Sequence, residues 1–163
     1  MFSPELRARA ETLLAAARTQ GLKIATAESC TGGLIAGLLT EIPGSSDILD
    51  RGFVTYSNQA KEEMLGVSGA MIRQHGAVSE AVARAMAEGA IRNSTAQLSV
   101  AVTGVAGPGG GTDEKPVGLV HIAAARAGEA TLHHECRFGD IGRSEIRLAS
   151  VATALEMLQS LLD

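Results

Sequence analysis

The stretch LKIATAESCTGGLIAGLLTEI, residues 22–42, decides the fold because it predicts a strand, a turn and a helix in direct succession. Leu22 to Ala27 is short, apolar and of strand type. A helix is predicted from Gly32 to Ile42, where Pro43-Gly44 stops it. Strands that alternate with helices are typical of α/β folds, in which ligands bind at the carboxyl ends of the strands. Ser29 lies at such a point.

The rest of the chain extends this pattern in both directions. The order of elements predicts a three-layer α/β/α sandwich around a mixed, mostly parallel sheet of about five strands. Serines that can cap helices and glycines that can end them mark most helix boundaries. The further predicted elements are helices from Pro4 to Gln20, from Ser57 or Asn58 to Gly66, from Ser68 to His75, from Ser79 to Asn93 and from Arg143 to Leu162, and strands Gly52 to Tyr56, Gln97 to Thr103, Val117 to Arg126 and Ala130 to Phe138.

Length and composition predict one domain over residues 1–163, with 45% apolar residues to form its core. The net charge of −4 and the lack of any Lys/Arg run argue against a nucleic-acid partner. No apolar stretch approaches the roughly 20 residues that span a bilayer, and the N-terminal stretch is typical of a capped helix rather than a signal peptide. Two cysteines, Cys30 and Cys136, fit a reducing cytoplasm, where we expect the protein to act.

Ser29 is the first candidate for chemistry, because a hydroxyl in a strand-to-helix turn can face a ligand. Unpaired N–H groups at the start of the following helix could then stabilise an oxyanion or a phosphate. The alternative is that Ser29 or Thr31 only caps that helix, although the pair Gly32 and Gly33 weakens this interpretation. Cys30 is a rival nucleophile, but no His lies nearby in the sequence to activate it.

Tyr56 and Lys61 form the second candidate group. The chain has three Lys against eleven Arg, and a desolvated Lys can act as a base where Arg cannot. Lys61 is predicted in the first turn of a helix, where the helix dipole would lower its pKa. The alternative is a solvated helix lysine beside Glu62 and Glu63. The spacing of five from Tyr56 to Lys61 does not match the short-chain dehydrogenase dyad.

The third candidate is the glycine-rich stretch from Thr103 to Gly111. It matches neither G-x-G-x-x-G nor G-x-x-x-x-G-K-[ST], so it predicts neither a Rossmann site nor a P-loop. Its backbone N–H groups could surround an anion, and a flexible connection is the alternative. Arg143 and Arg147, one turn apart on the last helix, could clamp a phosphate or carboxylate, or simply be solvent-exposed. The four histidines show no metal-binding spacing, so we expect no metal.

Five ordered motifs together resemble the CinA C-terminal domain family over about residues 5 to 160. Larger members of that family carry an additional N-terminal domain. The resemblance implies a stand-alone amidase without cofactor, which hydrolyses the carboxamide of nicotinamide mononucleotide to nicotinic acid mononucleotide and ammonia. The motifs are TAESCTGG at 26–33, RGFVTYSNQAK at 51–61, GAVSE at 76–80, VTGVAGPGGG at 102–111 and KPVGLV at 115–120.

The resemblance also implies roles for individual residues. Ser29 would be the nucleophile, Lys61 its base, and Tyr56 would assist. Arg147 would match the arginine that meets the phosphate, but a stretch of two extra residues before Arg143 leaves the choice between the two arginines open. The residues expected to bind substrate are Glu28, Thr31, Gly32, Gly33, Thr103, Gly104, Gly107 and Arg147.

Two other functions remain open at this point. One is a serine amidase with a different substrate, because motifs determine the chemistry better than the ligand. The other is a non-catalytic module that binds a protein partner, as the competence and DNA-damage names in the family suggest. The Ala-rich helix at residues 80–92 could pack against a second subunit, so we expect a homodimer.

Overall fold

The computed structural model describes residues 1–163, and it contains a five-stranded sheet between two layers of helices. Spatial strand order is β2-β1-β3-β4-β5. β1, β2 and β3 are mutually parallel, and β4 runs antiparallel to both of its neighbours, β3 and β5. The mixed, mostly parallel sandwich predicted from the sequence is confirmed. The strands are β1 (Ile24–Glu28), β2 (Leu49–Val54), β3 (Leu98–Gly104), β4 (Leu119–Arg126) and β5 (Leu132–Arg137).

Six α-helices cover the sheet, and each face has its own apolar core. One core of 26 buried residues lies beneath α1, α2 and α6, and another of 15 lies beneath α3, α4 and α5. No helix combines the length and apolarity that a membrane span requires. The helices are α1 (Pro4–Gln20), α2 (Leu34–Thr40), α3 (Asn58–Leu65), α4 (Gly69–His75), α5 (Glu80–Arg92) and α6 (Arg143–Ser160).

Side-chain caps account for several helix starts, as the sequence predicts. The hydroxyls of Ser3, Ser57, Ser68 and Ser79 each accept a backbone N–H three residues later in the chain. Such a bond satisfies one of the N–H groups that the first helical turn leaves unpaired. These caps hold the starts of α1, α3, α4 and α5.

The start of α2 differs from the prediction. The helix begins at Leu34 rather than Gly32, because Gly32 and Gly33 have φ values of 59° and 97°, in the left-handed region that a helix excludes. Gly33 occupies the cap position without any side-chain bond, so the alternative that Ser29 or Thr31 caps this helix is wrong. The two glycines instead form a turn between β1 and α2.

Several strand starts also differ from the prediction by two or three residues. β2 starts at Leu49 rather than Gly52 because residues from Leu49 onward pair with β1, opposite Ile24. Within β2, a Cβ at Gly52 would lie 2.9 Å from Thr26 Oγ1 on β1, so only glycine allows this close approach. β4 starts after Gly118, whose φ of 92° interrupts the strand predicted from Val117.

The Ala-rich helix at residues 80–92 is not a free surface for a second subunit. Its alanines at 83, 87 and 90 are fully buried, together with Val82 and Met86, in the core beneath α5. The small side chains let α5 lie close to the sheet. A homodimer stays a prediction, but it would need another surface.

Candidate active site

The carboxyl ends of β1, β2 and β3 meet at one edge of the sheet, because these three neighbouring strands are parallel. Ser29 follows β1 directly, Tyr56 and Lys61 follow β2, and the glycine-rich loop follows β3. A cavity of about 310 Å³ opens between them. Its lining residues are Ser29, Cys30, Tyr56, Val78, Gly104, Val105, Ala106, Gly107, Gly109, Gly110 and Arg143.

Ser29 is fixed by its backbone and exposes its side chain at the cavity wall. Its N–H donates to the carbonyl of Val102 at 2.9 Å, which extends the β1–β3 pairing by one residue. Its own carbonyl accepts the N–H of Gly32 at 2.9 Å, which closes the turn. The Ser29 hydroxyl is therefore attached to a backbone that hydrogen bonds hold in place at the end of the strand.

Lys61 lies on α3, the helix that follows β2, and its side chain extends to Ser29 at the end of the neighbouring strand β1. Its Nζ lies 3.1 Å from Ser29 Oγ and 2.7 Å from the carbonyl oxygen of Thr55. The side chain is only 1% exposed, so the alternative of a solvated helix lysine is wrong. No carboxylate pairs with the amine, and burial lowers the pKa of Lys61 below its ordinary value. Burial, rather than the helix dipole, is the main cause of that shift.

Neither the burial of Cys30 nor the pKa of its thiol is that of a nucleophile. Its side chain is buried, and burial raises the pKa of the Cys30 thiol to about 11. Thiolates are the reactive form of cysteine, so this thiol is almost wholly protonated near neutral pH. Among the side chains of this turn, Ser29 is the one with a base beside it.

Tyr56 and Arg143 stand together at the mouth of the cavity. Tyr56 is 63% exposed, and Arg143 Nη2 donates to its hydroxyl at 3.1 Å. The other terminal nitrogen, Nη1, donates to the carbonyl of Gly107 at 2.7 Å. Arg143 thus links the glycine-rich loop to the β2–α3 connection, with its charge at the cavity wall.

Arg147 lies one turn further along α6 and contacts the nucleophile turn. Its Nε and Nη2 donate to the carbonyls of Cys30 and Thr31, both at 3.1 Å. Arg143 lines the cavity, whereas Arg147 is not among the lining residues. The resemblance favoured Arg147 for the phosphate and left the choice open, whereas Arg143 is the arginine that lines the cavity.

The glycine-rich loop presents free backbone donors. Val105 N–H pairs with Leu119, but the N–H groups of Ala106, Gly107, Gly109 and Gly110 have no partner within the chain. Several adjacent unpaired N–H groups can surround an anion. Thr103, which precedes the loop, is buried, and its hydroxyl donates to the carbonyl of Ala77 at 2.9 Å.

Comparison with known proteins identifies the family of this chain. The model of the CinA C-terminal domain matches residues 6–162, nearly the whole chain. The chain belongs to the CinA C-terminal domain family. The resemblance drawn from five sequence motifs is thereby confirmed.

Curated relatives of this CinA domain are of two lengths. Nicotinamide-nucleotide amidohydrolase PncC of Escherichia coli K12 is 46% identical over 159 residues, which cover 97% of this chain and 95% of that protein. A CinA-like protein of Syntrophobacter fumaroxidans is 52% identical over 141 residues, but the match spans 33% of its length. The chain thus corresponds to nearly the whole of the first relative and to about a third of the second.

Solved structures of CinA proteins share the fold closely. Competence/damage inducible protein CihA of Agrobacterium tumefaciens superposes with a TM-score of 0.98 at 56% identity, over 100% of this chain and 99% of that one. A CinA superfamily protein of Escherichia coli gives a TM-score of 0.91 at 33% identity, over 99% and 94% of the two chains.

The sequence-predicted residues of this CinA domain fall into two groups. Four of them line the cavity: Ser29, Tyr56, Gly104 and Gly107. Lys61 does not line it, but its amine contacts the hydroxyl of Ser29. The others are not among its lining residues: Glu28, Thr31 and Thr103 are buried, Gly32 and Gly33 form the turn, and Arg147 binds that turn. Val78 lines the cavity but was not singled out from the sequence, and the motif GAVSE that contains it was the available signal.

Proposed function

We propose that this CinA domain hydrolyses the carboxamide of nicotinamide mononucleotide to nicotinic acid mononucleotide and ammonia. Ser29 is the nucleophile and Lys61 its base. The observation that carries the proposal is the 3.1 Å distance between Lys61 Nζ and Ser29 Oγ, with the amine buried and unpaired by any carboxylate. A relative of nearly equal length bears the name of this amidohydrolase, which supports the choice of substrate.

The surroundings of Lys61 favour its neutral form. An ammonium has three N–H donors, but only two acceptors lie beside Nζ, namely Thr55 O and Ser29 Oγ. A neutral amine instead donates one N–H to Thr55 O and offers its lone pair to the Ser29 hydroxyl proton. General-base catalysis of this kind typically contributes about 10²- to 10⁴-fold in rate.

The reaction then proceeds in two steps. Ser29 Oγ attacks the carboxamide carbon while its proton passes to Lys61 Nζ, and a tetrahedral oxyanion forms. Collapse breaks the C–N bond, and Lys61 returns the proton to the departing nitrogen, which leaves as ammonia. Water, deprotonated by the same amine, hydrolyses the ester on Ser29 and regenerates the hydroxyl.

Backbone donors of the turn are candidates for the oxyanion site. Gly32 N–H is engaged by the Ser29 carbonyl, so it is not free for this task. Thr31 N–H and Gly33 N–H have no partner within the chain. One oxyanion donor is typically worth about 3 kcal/mol of transition-state stabilisation. Arg147, which holds the carbonyls of Cys30 and Thr31, keeps the peptide planes of this turn in place.

The phosphate would bind where Arg143 and the free loop N–H groups meet. Gly107, Gly109 and Gly110 line the same cavity as Arg143, and their N–H groups are unpaired. A guanidinium and several N–H donors together are suited to a phosphate dianion. Tyr56, which is exposed, lines the same cavity and contacts Arg143, would lie along the pyridine nucleotide. Arg147 remains the family's candidate for the phosphate, but its donors here contact backbone carbonyls.

The test is ammonia release from nicotinamide mononucleotide, its nucleoside and free nicotinamide. We expect release from the nucleotide by the wild type, abolished in Ser29→Ala and Lys61→Ala. Lys23→Ala is the matched control, since Lys23 is exposed at the opposite end of β1. Equal turnover of all three compounds would favour an amidase with a different substrate. No release by folded protein would favour the protein-binding module.

The remaining expectations on assembly and location stay predictions. A homodimer would show as twice the chain mass of 16.7 kDa in light scattering of the purified protein. A mass of one chain would contradict it. The cytoplasmic location also stays a prediction from the sequence.

A further inference from the structure

Glu28 precedes Ser29 and is fully buried at 0% exposure. Its carboxylate does not line the cavity. Instead, Oε1 accepts the N–H of Ile35 at 2.8 Å, and Oε2 accepts the N–H of Ala36 at 3.1 Å and the hydroxyl of Thr26 at 3.3 Å. Every oxygen of this side chain is therefore engaged within the protein.

These bonds replace an ordinary helix cap. A helix start is normally capped by a Ser, Thr, Asp or Asn at the position before it, but α2 has Gly33 there and no side-chain bond. Glu28 supplies the missing acceptors from the preceding strand, seven and eight residues back in the chain. The carboxylate thus ties the end of β1 to the first turn of α2, across the turn that carries Ser29.

The backbone of Glu28 belongs to the path that joins Ser29 to its base. Its carbonyl accepts the N–H of Thr55 at 2.9 Å. The carbonyl of Thr55 in turn accepts Lys61 Nζ at 2.7 Å, and that nitrogen lies 3.1 Å from Ser29 Oγ. A closed circuit therefore runs from Glu28 through Thr55 and Lys61 to Ser29, which is bonded covalently to Glu28.

We infer that Glu28 is a positioning residue, whose buried carboxylate fixes this circuit and so holds Ser29 Oγ at reacting distance from Lys61 Nζ. The inference rests on the proposed function only in taking Ser29 as the nucleophile, and it holds for any amide substrate. A direct contact of Glu28 with substrate does not fit a side chain that has no exposed surface and does not line the cavity.

Glu28→Gln tests the circuit with almost no change in volume. Either orientation of the amide places an NH₂ group against the N–H of Ile35 or of Ala36, so one helix N–H loses its acceptor. The probe is an aryl sulfonyl fluoride, which labels an activated serine without requiring the amide substrate. The labelling rate of Ser29, followed by mass spectrometry from about pH 7 to about pH 11, reports both nucleophile geometry and the state of its base.

We expect the plateau labelling rate of Glu28→Gln to fall at least about tenfold, with the pH midpoint unchanged, because geometry is altered and not the base. Ser99→Ala is the matched control. Ser99 is equally buried, and its hydroxyl donates to Ala87 O at 2.6 Å, another strand-to-helix bond at the opposite end of β3. That variant should lose stability and keep the wild-type labelling rate.

A wild-type plateau in folded Glu28→Gln would overturn the inference, as would a shifted midpoint with an unchanged plateau, since the carboxylate would then act on Lys61 through its charge. If Glu28→Gln does not fold, Thr26→Val removes one of the three donors to the carboxylate and takes its place. Labelling slowed about two- to fivefold is then expected, and a wild-type rate would overturn the inference. Failure of the proposed nucleophile is distinct: wild type and Ser29→Ala would then label alike.

Discussion

Lys61 Nζ and Ser29 Oγ lie 3.1 Å apart, although 32 positions separate the two residues in the chain. The amine has no acidic partner and almost no contact with solvent. A lysine in such a place destabilises the folded state, because burial disfavours its charge. Proteins retain unfavourable groups of this kind at sites of catalysis.

Lys61→Met should therefore abolish ammonia release and raise stability. Methionine fills the space of the lysine stem without a buried amine, and we expect a gain of about 1 kcal/mol in the free energy of unfolding. Urea denaturation of wild type and variant measures the gain. Equal or lower stability of Lys61→Met would contradict this account of the site.

The gain should also depend on pH. Burial lowers the pKa of Lys61 in the folded state below 10.5, its ordinary value. At pH values between the lowered pKa and 10.5, the unfolded chain therefore binds a proton that the folded chain does not. Wild-type stability therefore falls relative to Lys61→Met as pH decreases through that window. The advantage of the variant should be larger at about pH 7 than at about pH 10.5, where little penalty remains.

Arg143→Ala should weaken nucleotide binding more than it slows chemistry. It removes the charge at the cavity wall and the bonds to Tyr56 and Gly107. Loss of a charge-assisted contact predicts a KM about tenfold or more above wild type, with a smaller change in kcat. Arg137→Ala on β5, which removes an exposed arginine that does not line the cavity, is the control. An unchanged KM would indicate that Arg147, and not Arg143, binds the phosphate.

Cys30→Ala should leave most of the activity intact. The thiol is buried with its pKa raised to about 11, so it is neither a nucleophile nor easily alkylated near neutral pH. We expect kcat within about threefold of wild type and slow reaction with iodoacetamide at about pH 7.5. Rapid alkylation that abolishes activity in parallel would assign the nucleophile to Cys30 instead.

Gly104→Ala should destabilise the protein by about 1–3 kcal/mol. A Cβ at this position would lie 2.7 Å from Val120 Cγ2 and 2.8 Å from the carbonyl oxygen of Leu119, so β3 and β4 would have to separate beneath the loop. Gly37→Ala is the matched control, because a Cβ there meets nothing within 4 Å in the interior of α2. A helix gains stability from this exchange, so the two melting temperatures should move in opposite directions.

Local signals predicted most of the fold. Serines such as Ser79 cap helices through bonds within three residues, and the apolar run that became β3 has the composition of a strand buried on both faces. These features depend on neighbours in the chain, so the sequence displays them. Strand order is different: β1 lies between β2 and β3 because of long-range pairing, which periodicity does not report.

The site was predicted in part for the same reason. The motifs located Ser29, Lys61 and the loop after Thr103, but not which side chains face the cavity. Glu28 caps α2 across the turn, and Arg147 binds carbonyls more than a hundred residues away, and neither contact leaves a local pattern. The prediction that the Ala-rich face of α5 contacts a second subunit was wrong, because small residues that suit an interface suit a core equally well.

The pH dependence of kcat/KM for ammonia release shows whether neutral Lys61 takes the proton of Ser29. Above about pH 8, where the substrate phosphate is almost fully ionised, kcat/KM should rise with a single ionisation whose midpoint lies below 10.5 and then level off. Lys61→Arg, which keeps the charge but cannot release its proton, should show no such rise. A wild-type rate that is independent of pH, or that is still rising above 10.5, would contradict the assignment of Lys61 as the base.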